Sequence, residues 1–433
     1  MMLTSVLIVI LFLALLLCNI PIALVMGICG MVGLLAFDLP LIVSVQKMVT
    51  GLDLSSLIAV LFFILGGEIM DKGGITKRLS IFLFIFLRKI KGGIAYVGII
   101  TNLIMAGVSG SAVADASATG SILIPLMVKS QYKPAFAAAL IASAGTMGPL
   151  IPPSILFIIV GSMCNISILR LFLAGVLPGV FIALGLILIV LYNSKKGDLE
   201  LGREDISKIK KNNKLSIKGG IEFLLAVMMP FLILGGMRFG IFTANEAGAI
   251  VVVYSMTVSF IIYRALKRSD LRELFMNPIL LSANVLFIVA GAAIIGYLVA
   301  RVGLISLITD FAKVYINSKI YFLIISNLGL FVLGCFMEIT ALAIILSPIL
   351  VPLAFSYGID PVQMVVIIVT NLMIGLITPP VGMNMYVTIS IAKVSIQDFT
   401  KEIIPFILVL VAVLLLVSYV PSITLFLPNL LMK

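Results

Sequence analysis

The sequence predicts an all-α, polytopic membrane protein with two inverted repeats, each made of a re-entrant helical hairpin and a broken helix. Three observations support this fold class. Of the 433 residues, 62% are hydrophobic and only 11% are charged, whereas soluble domains carry about 25% charged residues. Many apolar stretches approach the roughly 20 residues that a membrane-spanning helix needs. Finally, two long regions of the chain align with each other at a fixed offset of 227 residues.

The composition also excludes several classes of protein function. The chain contains no His, which excludes a Ser–His nucleophile pair, a histidine metal site and a histidine proton switch. The four Cys residues show no C-x-x-C spacing, so they predict neither a disulfide framework nor a metal site. No G-x-x-x-x-G-K-[ST] phosphate loop occurs, and we do not expect this chain to hydrolyse ATP. We assign the net charge of +11 to cytoplasmic loops and not to nucleic-acid binding.

The apolar stretches predict ten membrane spans and two hairpins. The spans at 133–164 and 361–392 are too long for one straight helix, and both contain a Pro-Pro pair. The regions 94–130 and 320–356 are interrupted midway by polar and small residues, which predicts two short helices meeting at a tip within the membrane. The ten predicted spans are 3–18, 22–39, 54–70, 133–164, 170–192, 219–237, 244–263, 274–300, 361–392 and 403–429.

Three basic loops predict the topology. Residues 72–91, 193–219 and 264–273 hold clusters of Lys and Arg, and the positive-inside rule places all three in the cytoplasm. They can share one side only if the hairpin at 94–130 enters the membrane and returns without crossing it. Both termini then lie outside. The N-terminal stretch has no basic n-region and no cleavage site, so we interpret it as a membrane hairpin and not as a cleaved signal peptide.

The two aligned regions match in their Gly and Pro residues. Five predicted crossings lie between the copies, and this odd number gives the copies opposite orientations, as in many secondary transporters. The alternative is that Gly and Pro are simply frequent in membrane helices, but the apolar residues between them also agree. The matched positions are Gly107 with Gly334, Pro125 with Pro352, Pro134 with Pro361, Gly148 with Gly375, Pro152-Pro153 with Pro379-Pro380, and Pro178 with Pro405.

The Pro-Pro breaks predict a binding site for ions. Pro lacks a backbone N–H and clashes with the preceding turn, so nearby carbonyl groups lose their helical partners. At membrane depth such groups are tolerated only inside protein or beside a polar cavity. Carbonyl oxygens and half-helix C-termini suit a cation such as sodium, whereas half-helix N-termini suit a carboxylate.

Four motifs resemble the large membrane (M) subunit of tripartite ATP-independent periplasmic (TRAP) transporters. They are GVSGSAVADA at 107–116, AGTMGPLIPPS at 144–154, GIDPV at 358–362 and NLMIGLITPPVG at 371–382. The resemblance covers essentially the whole chain. Many relatives carry His at the position of Gln363, and its absence here argues against a required proton carrier at that position.

The resemblance implies a function without enzymatic activity. It implies a sodium-coupled importer of organic acids in the bacterial inner membrane, working by an elevator movement with sodium as the coupling ion and no other cofactor. The favoured substrate is sialic acid, followed by C4-dicarboxylates. The implied partners are a small membrane (Q) subunit and a periplasmic substrate-binding protein, besides membrane lipids.

The repeats divide the chain into predicted units. Residues 93–168 and 320–396 are the two transport-domain repeats, each a hairpin plus a broken helix. The stretches 75–91 and 303–319 are expected to be amphipathic arms along the interfaces, with ordinary basic loops as the alternative. The remaining units are scaffold helices with the first arm at 1–92, scaffold helices with the 193–219 loop at 169–301, the second arm at 302–319, and a C-terminal membrane helix at 397–433.

The hairpin tips and helix breaks supply the candidate sodium ligands. The tips offer hydroxyl and carbonyl oxygens, and the breaks offer carbonyl groups in equivalent places of both copies. For the tip serines the alternative is close helix packing by small residues. The candidate sodium ligands are Ser109, Ser111, Gly145, Thr146, Gly148 and Pro149 in the first copy, and Gly334, Glu338, Thr340, Gly375, Thr378 and Pro379 in the second.

The candidate substrate contacts and several polar residues leave more than one interpretation open. Asp115 could hold a cation or cap the half-helix that follows the first tip. An ionisable residue within a membrane segment is a functional candidate, but Glu338 could also lie near the outer water. Ser143 and Asn371 could orient the breaks or merely pack. The candidate substrate contacts are Ser109, Ser111, Thr340, Asn371 and Thr378.

Three alternative functions remain. The first is a stand-alone sodium- or proton-coupled dicarboxylate carrier that needs no binding protein. A passive channel is the second. The third is an intramembrane serine protease, since residues 107–110 fit a G-x-S-G pattern, but such an enzyme lacks a base here because the chain has no His.

Overall fold

A computed structural model describes residues 2–18, 20–87, 89–196, 217–303, 316 and 318–432, and within these residues the chain forms nineteen α-helices. Two short 3₁₀ segments, Ser55–Leu57 and Arg268–Asp270, and one π-helical segment, Thr257–Ile262, complete the helical structure. The helices are α1 Met2–Leu17, α2 Ile22–Ala36, α3 Ile42–Leu52, α4 Ile58–Lys72, α5 Ile75–Leu87, α6 Gly93–Ser109, α7 Ala112–Lys129, α8 Pro134–Gly145, α9 Ile155–Met163, α10 Ile168–Lys196, α11 Ile217–Arg238, α12 Ala244–Met256, α13 Leu271–Arg301, α14 Lys319–Gly334, α15 Ile339–Ser356, α16 Pro361–Gly375, α17 Met383–Ala392, α18 Ile396–Tyr419 and α19 Pro421–Leu431.

Local sequence explains where many of these helices begin. The first N–H groups of a helix have no partner within it, and a side-chain oxygen just before the helix satisfies one of them. Pro stands at the start of α8, α16 and α19, where its missing N–H costs nothing. The capping residues are Ser111 for α7, Ser154 for α9, Thr243 for α12, Ser318 for α14, Glu338 for α15, Asp360 for α16 and Ser395 for α18.

The all-α, multi-pass prediction is confirmed. Seven helices in the described part are long and apolar enough to cross a membrane, or eight if the bent pair of α3 with Ser55–Lys72 is one span. That pair is bent by 64°. Helix α3 lies just N-terminal to the predicted span at 54–70 and would lengthen it. The predicted C-terminal span at 403–429 corresponds to α18, Ile396–Tyr419, but its bounds differ, because α18 ends at Tyr419 and a separate short helix, α19, starts at Pro421. Pro cannot donate the hydrogen bond that would continue α18.

The repeat recurs in the helices themselves. The bounds of α7, shifted by 227 residues, are those of α15. The same shift relates α6 to α14, α8 to α16, α9 to α17 and α10 to α18, with small differences at the ends. Both Pro-Pro bonds, Pro152-Pro153 and Pro379-Pro380, are cis. Each copy therefore consists of a helical hairpin and a helix broken at the Pro-Pro pair, as predicted.

The two copies interlock. In the first copy α6, α7 and α8 pack against one another, and α14, α15 and α16 do the same in the second. The half-helix after each break packs on the hairpin of the other copy, with α17 against α7 and α8, and α9 against α15. Helices α10 and α18 also pack together and against this body. The two hairpins and two broken helices thus form one packed body.

A second group of helices flanks the first copy. Helix α4 packs against α12 and α13, and α13 also packs against α2 and α3. The guanidinium of Arg78 in α5 forms an ion pair with Glu222 in α11 at 3.2 Å and lies over the Tyr263 ring at 4.1 Å. Helix α4 meets the first hairpin tip closely, since a Cβ atom at Gly67 would lie 3.1 Å from Ser109 Cα.

The predicted arms and cytoplasmic loop differ in how much of them the structure describes. The first arm, predicted at 75–91, contains the helix α5, which packs against α6 and α11. Most of the second arm, predicted at 303–319, lies outside the described residues, and so does 197–216 within the predicted cytoplasmic loop.

Candidate functional site

The first hairpin tip is a tight turn between α6 and α7. Gly110 has a φ of 63°, and a Cβ atom there would contact the carbonyl oxygen of Pro153 in the first break. Glycine satisfies both requirements because it has no Cβ. The Oγ of Ser109 accepts a hydrogen bond from the Ser111 backbone N–H at 3.1 Å and donates one to Asp115 Oδ1 at 2.6 Å. The tip therefore rests directly on the break of its own copy.

Asp115 does not cap α7, and that interpretation is wrong. Ser111 occupies the capping position, with its Oγ 3.5 Å from the Ala114 N–H. Asp115 lies one turn inside the helix, completely buried. Its Oδ1 accepts the Ser109 hydroxyl, whereas its Oδ2 has no hydrogen-bond partner. A Cβ atom at Gly148 would lie 2.8 Å from this Oδ2, so the free oxygen faces the first break.

The first break is a series of turns at 146–154, and every residue in it is buried. The Thr146 hydroxyl donates to the Ser143 carbonyl at 2.6 Å. The Ser154 hydroxyl donates to the Pro149 carbonyl at 2.6 Å and accepts the Phe157 N–H at 3.2 Å, which starts α9. The Pro149 carbonyl, predicted to face sodium, is thus engaged by Ser154.

Carbonyl oxygens remain free in the first break. Within the part of the chain that the structure describes, the carbonyls of Thr146 and Gly148 accept no hydrogen bond, whereas that of Gly145 accepts the Gly148 N–H at 3.1 Å. Buried backbone oxygens without a partner are uncommon in folded proteins. They are potential ligands for a cation.

Asn384 in α17 reaches the first break from the second copy. Its Nδ2 donates to the Ala142 carbonyl at 3.2 Å and lies 3.1 Å from where a Cβ at Gly145 would be. The side chain is completely buried, and its Oδ1 has no hydrogen-bond partner. Sequence reasoning missed this residue. The available signal was a lone Asn in an apolar half-helix, four residues after the second Pro-Pro pair.

The second hairpin tip uses its polar atoms differently. Glu338 caps α15, because its Oε1 accepts the Thr340 N–H at 2.9 Å and its Oε2 accepts the Ala341 N–H at 2.8 Å. The Thr340 hydroxyl also donates to Glu338 Oε1, at 2.6 Å. Both side chains are half-buried, and Phe336 beside them is exposed. The carboxylate of this tip therefore has hydrogen-bond partners for both oxygens.

The second break is more open than the first. Gly375 packs directly on the backbone of Gly334, which brings the second tip onto its own break. The Thr378 hydroxyl donates to the Ile374 carbonyl at 2.7 Å. Thr378 and Pro379 are half-buried, and the next two residues are exposed.

Asn371 lies four residues before Gly375, in a buried polar network, and its own Oδ1 has no hydrogen-bond partner. Its Nδ2 donates to the Asn327 carbonyl at 2.9 Å and to Asn327 Oδ1 at 3.1 Å, and Asn327 donates to Ser418 Oγ at 3.0 Å. Gln363 donates to the carbonyls of Val417 and Ser418, each at 3.0 Å. These bonds join α14, α16 and α18. Ser143 Oγ, in the first copy, donates within α8.

The structure thus divides the predicted site residues into two clusters. One contains Ser109, Ser111, Gly145, Thr146, Gly148 and Pro149, with the addition of Asp115 and Asn384. The other contains Gly334, Glu338, Thr340, Gly375, Thr378 and Pro379. No group of three or more Cys, Asp or Glu side chains suited to a metal occurs in the described ranges.

Comparison with known proteins decides the family. The family model described as the DctM component of the tripartite ATP-independent periplasmic transporter matches residues 9–423. The chain belongs to the TRAP transporter large permease family. It is therefore a transporter permease subunit and not an enzyme, located in the bacterial inner membrane as a multi-pass protein.

Three relatives show how far the similarity extends. A putative TRAP transporter large permease protein of Haemophilus influenzae is 36% identical over 94% of this chain and 95% of its own length. The 2,3-diketo-L-gulonate TRAP transporter large permease protein of Escherichia coli is 34% identical over 93% of this chain and 94% of its own length. The sialic acid TRAP transporter large permease protein of Vibrio cholerae is 35% identical, over 89% of each chain. Two of these TRAP permeases are named for different substrates, so family membership leaves this chain's substrate open.

Proposed function

We propose that this TRAP permease subunit imports organic acids by coupling their movement to sodium. The observation that carries the proposal is the duplicated hairpin and break, with buried oxygen atoms that lack protein partners in the first copy. Such atoms are costly unless a ligand satisfies them. Sodium at the tip-and-break clusters would supply the missing partner and order the surrounding loops.

The donor chemistry favours a hard cation. The clusters offer backbone carbonyls, hydroxyls, one amide and two carboxylates, of which Glu338 is engaged as a helix cap, and the chain has no His. Oxygen ligands suit hard cations, whereas transition metals are usually held by imidazole or thiolate. We therefore assign the first sodium to the cluster around Gly145 and Gly148, and the second to carbonyls near Gly375, Thr378 and Pro379.

The substrate is proposed to be a carboxylate that binds between the two clusters. Half-helix N-termini at α7, α9, α15 and α17 converge on the tips and breaks, and such N-termini favour anions. Two of the relatives are named for sialic acid and 2,3-diketo-L-gulonate, and both compounds are organic acids. Sialic acid is our first candidate, and a C4-dicarboxylate is the second. Ser111, Thr340 and Thr378 are partly exposed and fit this role better than Asn371.

The interlocked copies suit an elevator movement. Because each post-break half-helix packs on the opposite hairpin, the two clusters would move together as one body. The scaffold would be the group around α2, α4, α12 and α13. Sodium and substrate are coupled if each stabilises the same position of the moving body.

Two partners complete the proposed transporter. One is a small membrane (Q) subunit, and the other is a periplasmic protein that delivers the substrate. Selectivity for the organic acid would then depend partly on the delivering protein.

Transport by the reconstituted complex tests the proposal. We expect uptake of sialic acid into proteoliposomes only with the binding protein present and an inward sodium gradient. Replacing Thr378 or Ser109 with a bulky apolar residue should raise the sodium concentration needed for half-maximal uptake. Uptake that persists without sodium would overturn sodium coupling, and uptake without the binding protein would favour the stand-alone carrier. Ion current without any gradient of a second ion would indicate a channel.

A further inference from the structure

The packed body and the helices that flank it meet along a boundary. The packed body comprises the two hairpins and broken helices with α10, α18 and α19, and the flanking group comprises α2, α3, α4, α11, α12, α13 and the 3₁₀ segment Ser55–Leu57. Helix α5 connects the two groups along the chain. Apart from the contacts of α5, two side-chain hydrogen bonds cross the boundary within the described residues. The Ser56 and Ser162 Oγ atoms lie 2.6 Å apart, and Arg238 Nε donates to the Leu431 carbonyl at 3.1 Å.

The serine contact has a defined donor. The Ser162 hydroxyl donates to the Ile158 carbonyl at 2.6 Å, within its own helix α9. A hydroxyl has only one proton to donate, so Ser56 is the donor between the two serines and Ser162 is the acceptor. Both side chains are half-buried. If α9 moved away from Ser56, this hydroxyl would lose its acceptor, which costs free energy until another partner replaces it.

The arginine contact holds the end of α19 from across the boundary. Leu431 is the last residue of α19, so its carbonyl has no partner within the helix, and a cation at this end of a helix is favourable. Arg238 ends α11, in the flanking group. Arg170 in α10, part of the packed body, donates to Asn429 Oδ1 in the same turn at 3.4 Å. The last turn of α19 is therefore bound from both sides of the boundary.

Both bonds lie at the membrane face opposite the basic loops. Helix α4 begins just after Ser56 and ends at Lys72, where the basic stretch 72–91 starts. Helix α11 begins beside the 193–219 loop and ends at Arg238. Since the positive-inside rule places these basic loops in the cytoplasm, the two bonds belong to the outer face.

Deeper in the membrane, small residues form the boundary instead. A Cβ built at Gly67 of α4 would lie 3.1 Å from Ser109 Cα at the first tip, and one at Gly107 would contact the Pro230 ring of α11. Glycine lets helices approach closely without a specific hydrogen bond. Such contacts can slide, whereas the two outer bonds must open before the packed body moves.

The inverted repeat does not reproduce the serine contact. At the offset of 227 residues, Ile389 of α17 occupies the position of Ser162, and its side chain is buried. Helix α9 packs against α4 and the 3₁₀ segment before it, whereas α17 packs against α7, α8 and α18. The hydroxyl contact is therefore a feature of the first copy and of the outer face.

We propose that the Ser56–Ser162 and Arg238–Leu431 bonds form an outer latch, which stabilises the position of the packed body in this structure and opens in every transport cycle. The inference rests on the proposed elevator movement. It adds positioning residues at one end of the boundary, Ser56 and Arg238 on the scaffold and Ser162 on the moving body. Weakening the latch should shift the body toward its other position without altering the tip-and-break clusters.

Distances between two spin labels on the purified full-length permease, with its small subunit, test the latch. The labels are attached at Arg272→Cys in α13 and Gln397→Cys in α18, both exposed, after the four native cysteines are replaced by Ala. We expect two distances in this parent protein, one for each position of the body. Ser162→Ala and Arg238→Met should each lower the population of the latched distance, relative to the other, by about three-fold, as expected for one interhelical hydrogen bond in a membrane.

Matched variants distinguish the latch from general damage. Arg170→Met also removes an arginine from the end of α19, but Arg170 lies within the moving body, so the ratio should stay within about two-fold of the parent. Ser121→Ala, which removes a hydroxyl that donates to the Ala118 carbonyl within α7, should do the same. Arg238→Lys keeps a cationic donor and should restore most of the latched population. An equal shift in Arg170→Met and Arg238→Met would overturn the arginine half of the latch.

A cross-link tests whether the serine contact opens during transport. The Ser56 and Ser162 Oγ atoms are close enough for a disulfide between cysteines at these positions. Oxidation of Ser56→Cys with Ser162→Cys should abolish uptake into proteoliposomes until the disulfide is reduced. The control pair, Asn327→Cys with Ser418→Cys, lies within the moving body, where the two side chains are 3.0 Å apart, and its oxidation should leave uptake unchanged.

Failure of the latch and failure of the elevator movement give different results. Two distances in the parent, with an unchanged ratio in both Ser162→Ala and Arg238→Met, would overturn the latch and leave the elevator movement intact. Full uptake by the completely cross-linked serine pair would also overturn the latch. A single distance in the parent, with and without sodium and sialic acid, would overturn the elevator movement itself.

Discussion

The two copies of the repeat share their helices but differ in how they use polar atoms. In the first copy, the break is buried and the tip is largely buried, with Ser111 partly exposed, and Asp115 keeps one carboxylate oxygen without a protein partner. In the second copy, the tip and break are partly exposed, and Glu338 uses both carboxylate oxygens to cap α15. One carboxylate thus keeps an oxygen without a protein partner, and the other stabilises the start of a helix. The two copies therefore share their helices but differ in the hydrogen bonding of the carboxylates near their tips.

A substitution at the contact between the first tip and the first break should cause the largest loss of sodium-driven uptake. Gly148→Ala would place a Cβ 2.8 Å from Asp115 Oδ2 and 2.9 Å from the Ala112 nitrogen. Overpacking of this kind costs about 1–3 kcal/mol, and we expect sodium-driven uptake to fall by about ten-fold or more.

Two variants of the second copy provide the comparison for Gly148→Ala. At the 227-residue offset Gly148 corresponds to Gly375, where an added Cβ would contact the Gly334 backbone, whereas at Gly329 no atom lies within 4 Å. Gly375→Ala should therefore cause a loss of uptake comparable to that of Gly148→Ala, and Gly329→Ala almost none. Equal losses for Gly148→Ala and Gly329→Ala would contradict the importance of close packing between tip and break.

A substitution at the contact between the first tip and α4 should cause an intermediate loss of uptake. Gly67→Val would fill the space beside Ser109, where an added Cβ lies 3.1 Å from Ser109 Cα. If the tip slides past α4 during transport, the maximal uptake rate should fall several-fold while the sodium concentration for half-maximal uptake stays unchanged. The position at the 227-residue offset is Ile294, which packs against Gly30 of α2. A changed sodium dependence with an unchanged rate would argue against sliding at this contact.

Removing the side chain that caps the helix at either tip should have the smallest effect, a modest loss of stability. Glu338→Ala removes the acceptor of two backbone N–H groups, and losing a cap of this type costs about 1 kcal/mol. Ser111→Ala should cost less, because its Oγ lies 3.5 Å from the Ala114 nitrogen, at the long limit for a hydrogen bond. Thermal unfolding of the purified protein should show a lower Tm for Glu338→Ala than for Ser111→Ala. The reverse order would assign the more important cap to the first copy.

Much of the fold could be predicted from the sequence because Gly and Pro act locally. Pro152-Pro153 and Pro379-Pro380 remove backbone donors wherever they stand, so both breaks follow from the residues alone. The division of the C-terminal span at Pro421 follows from the same property, but the uninterrupted apolar composition on both sides obscured it.

The site could be predicted only in part, because side-chain partners depend on packing between distant elements. The sequence shows four carboxylate or amide side chains near the tips and breaks, Asp115, Glu338, Asn371 and Asn384, but it does not show their hydrogen-bond partners. Asp115 could not be distinguished from a helix cap until Ser111 was found at the capping position. The role of Asn384 required the packing of α17 on the opposite copy, which no spacing along the chain reveals.

The sodium dependence of uptake by two charge-neutralising variants tests the difference between the copies most directly. Asp115→Asn and Glu338→Gln each remove one carboxylate charge near a hairpin tip, in proteoliposomes that contain the complete transporter. We predict that Asp115→Asn raises the sodium concentration for half-maximal uptake by at least about ten-fold, whereas Glu338→Gln, whose amide oxygen still accepts an N–H group, changes it by no more than about two-fold. Equal shifts in the two variants, or a larger shift in Glu338→Gln, would contradict the assignment of the cation-binding carboxylate to the first copy.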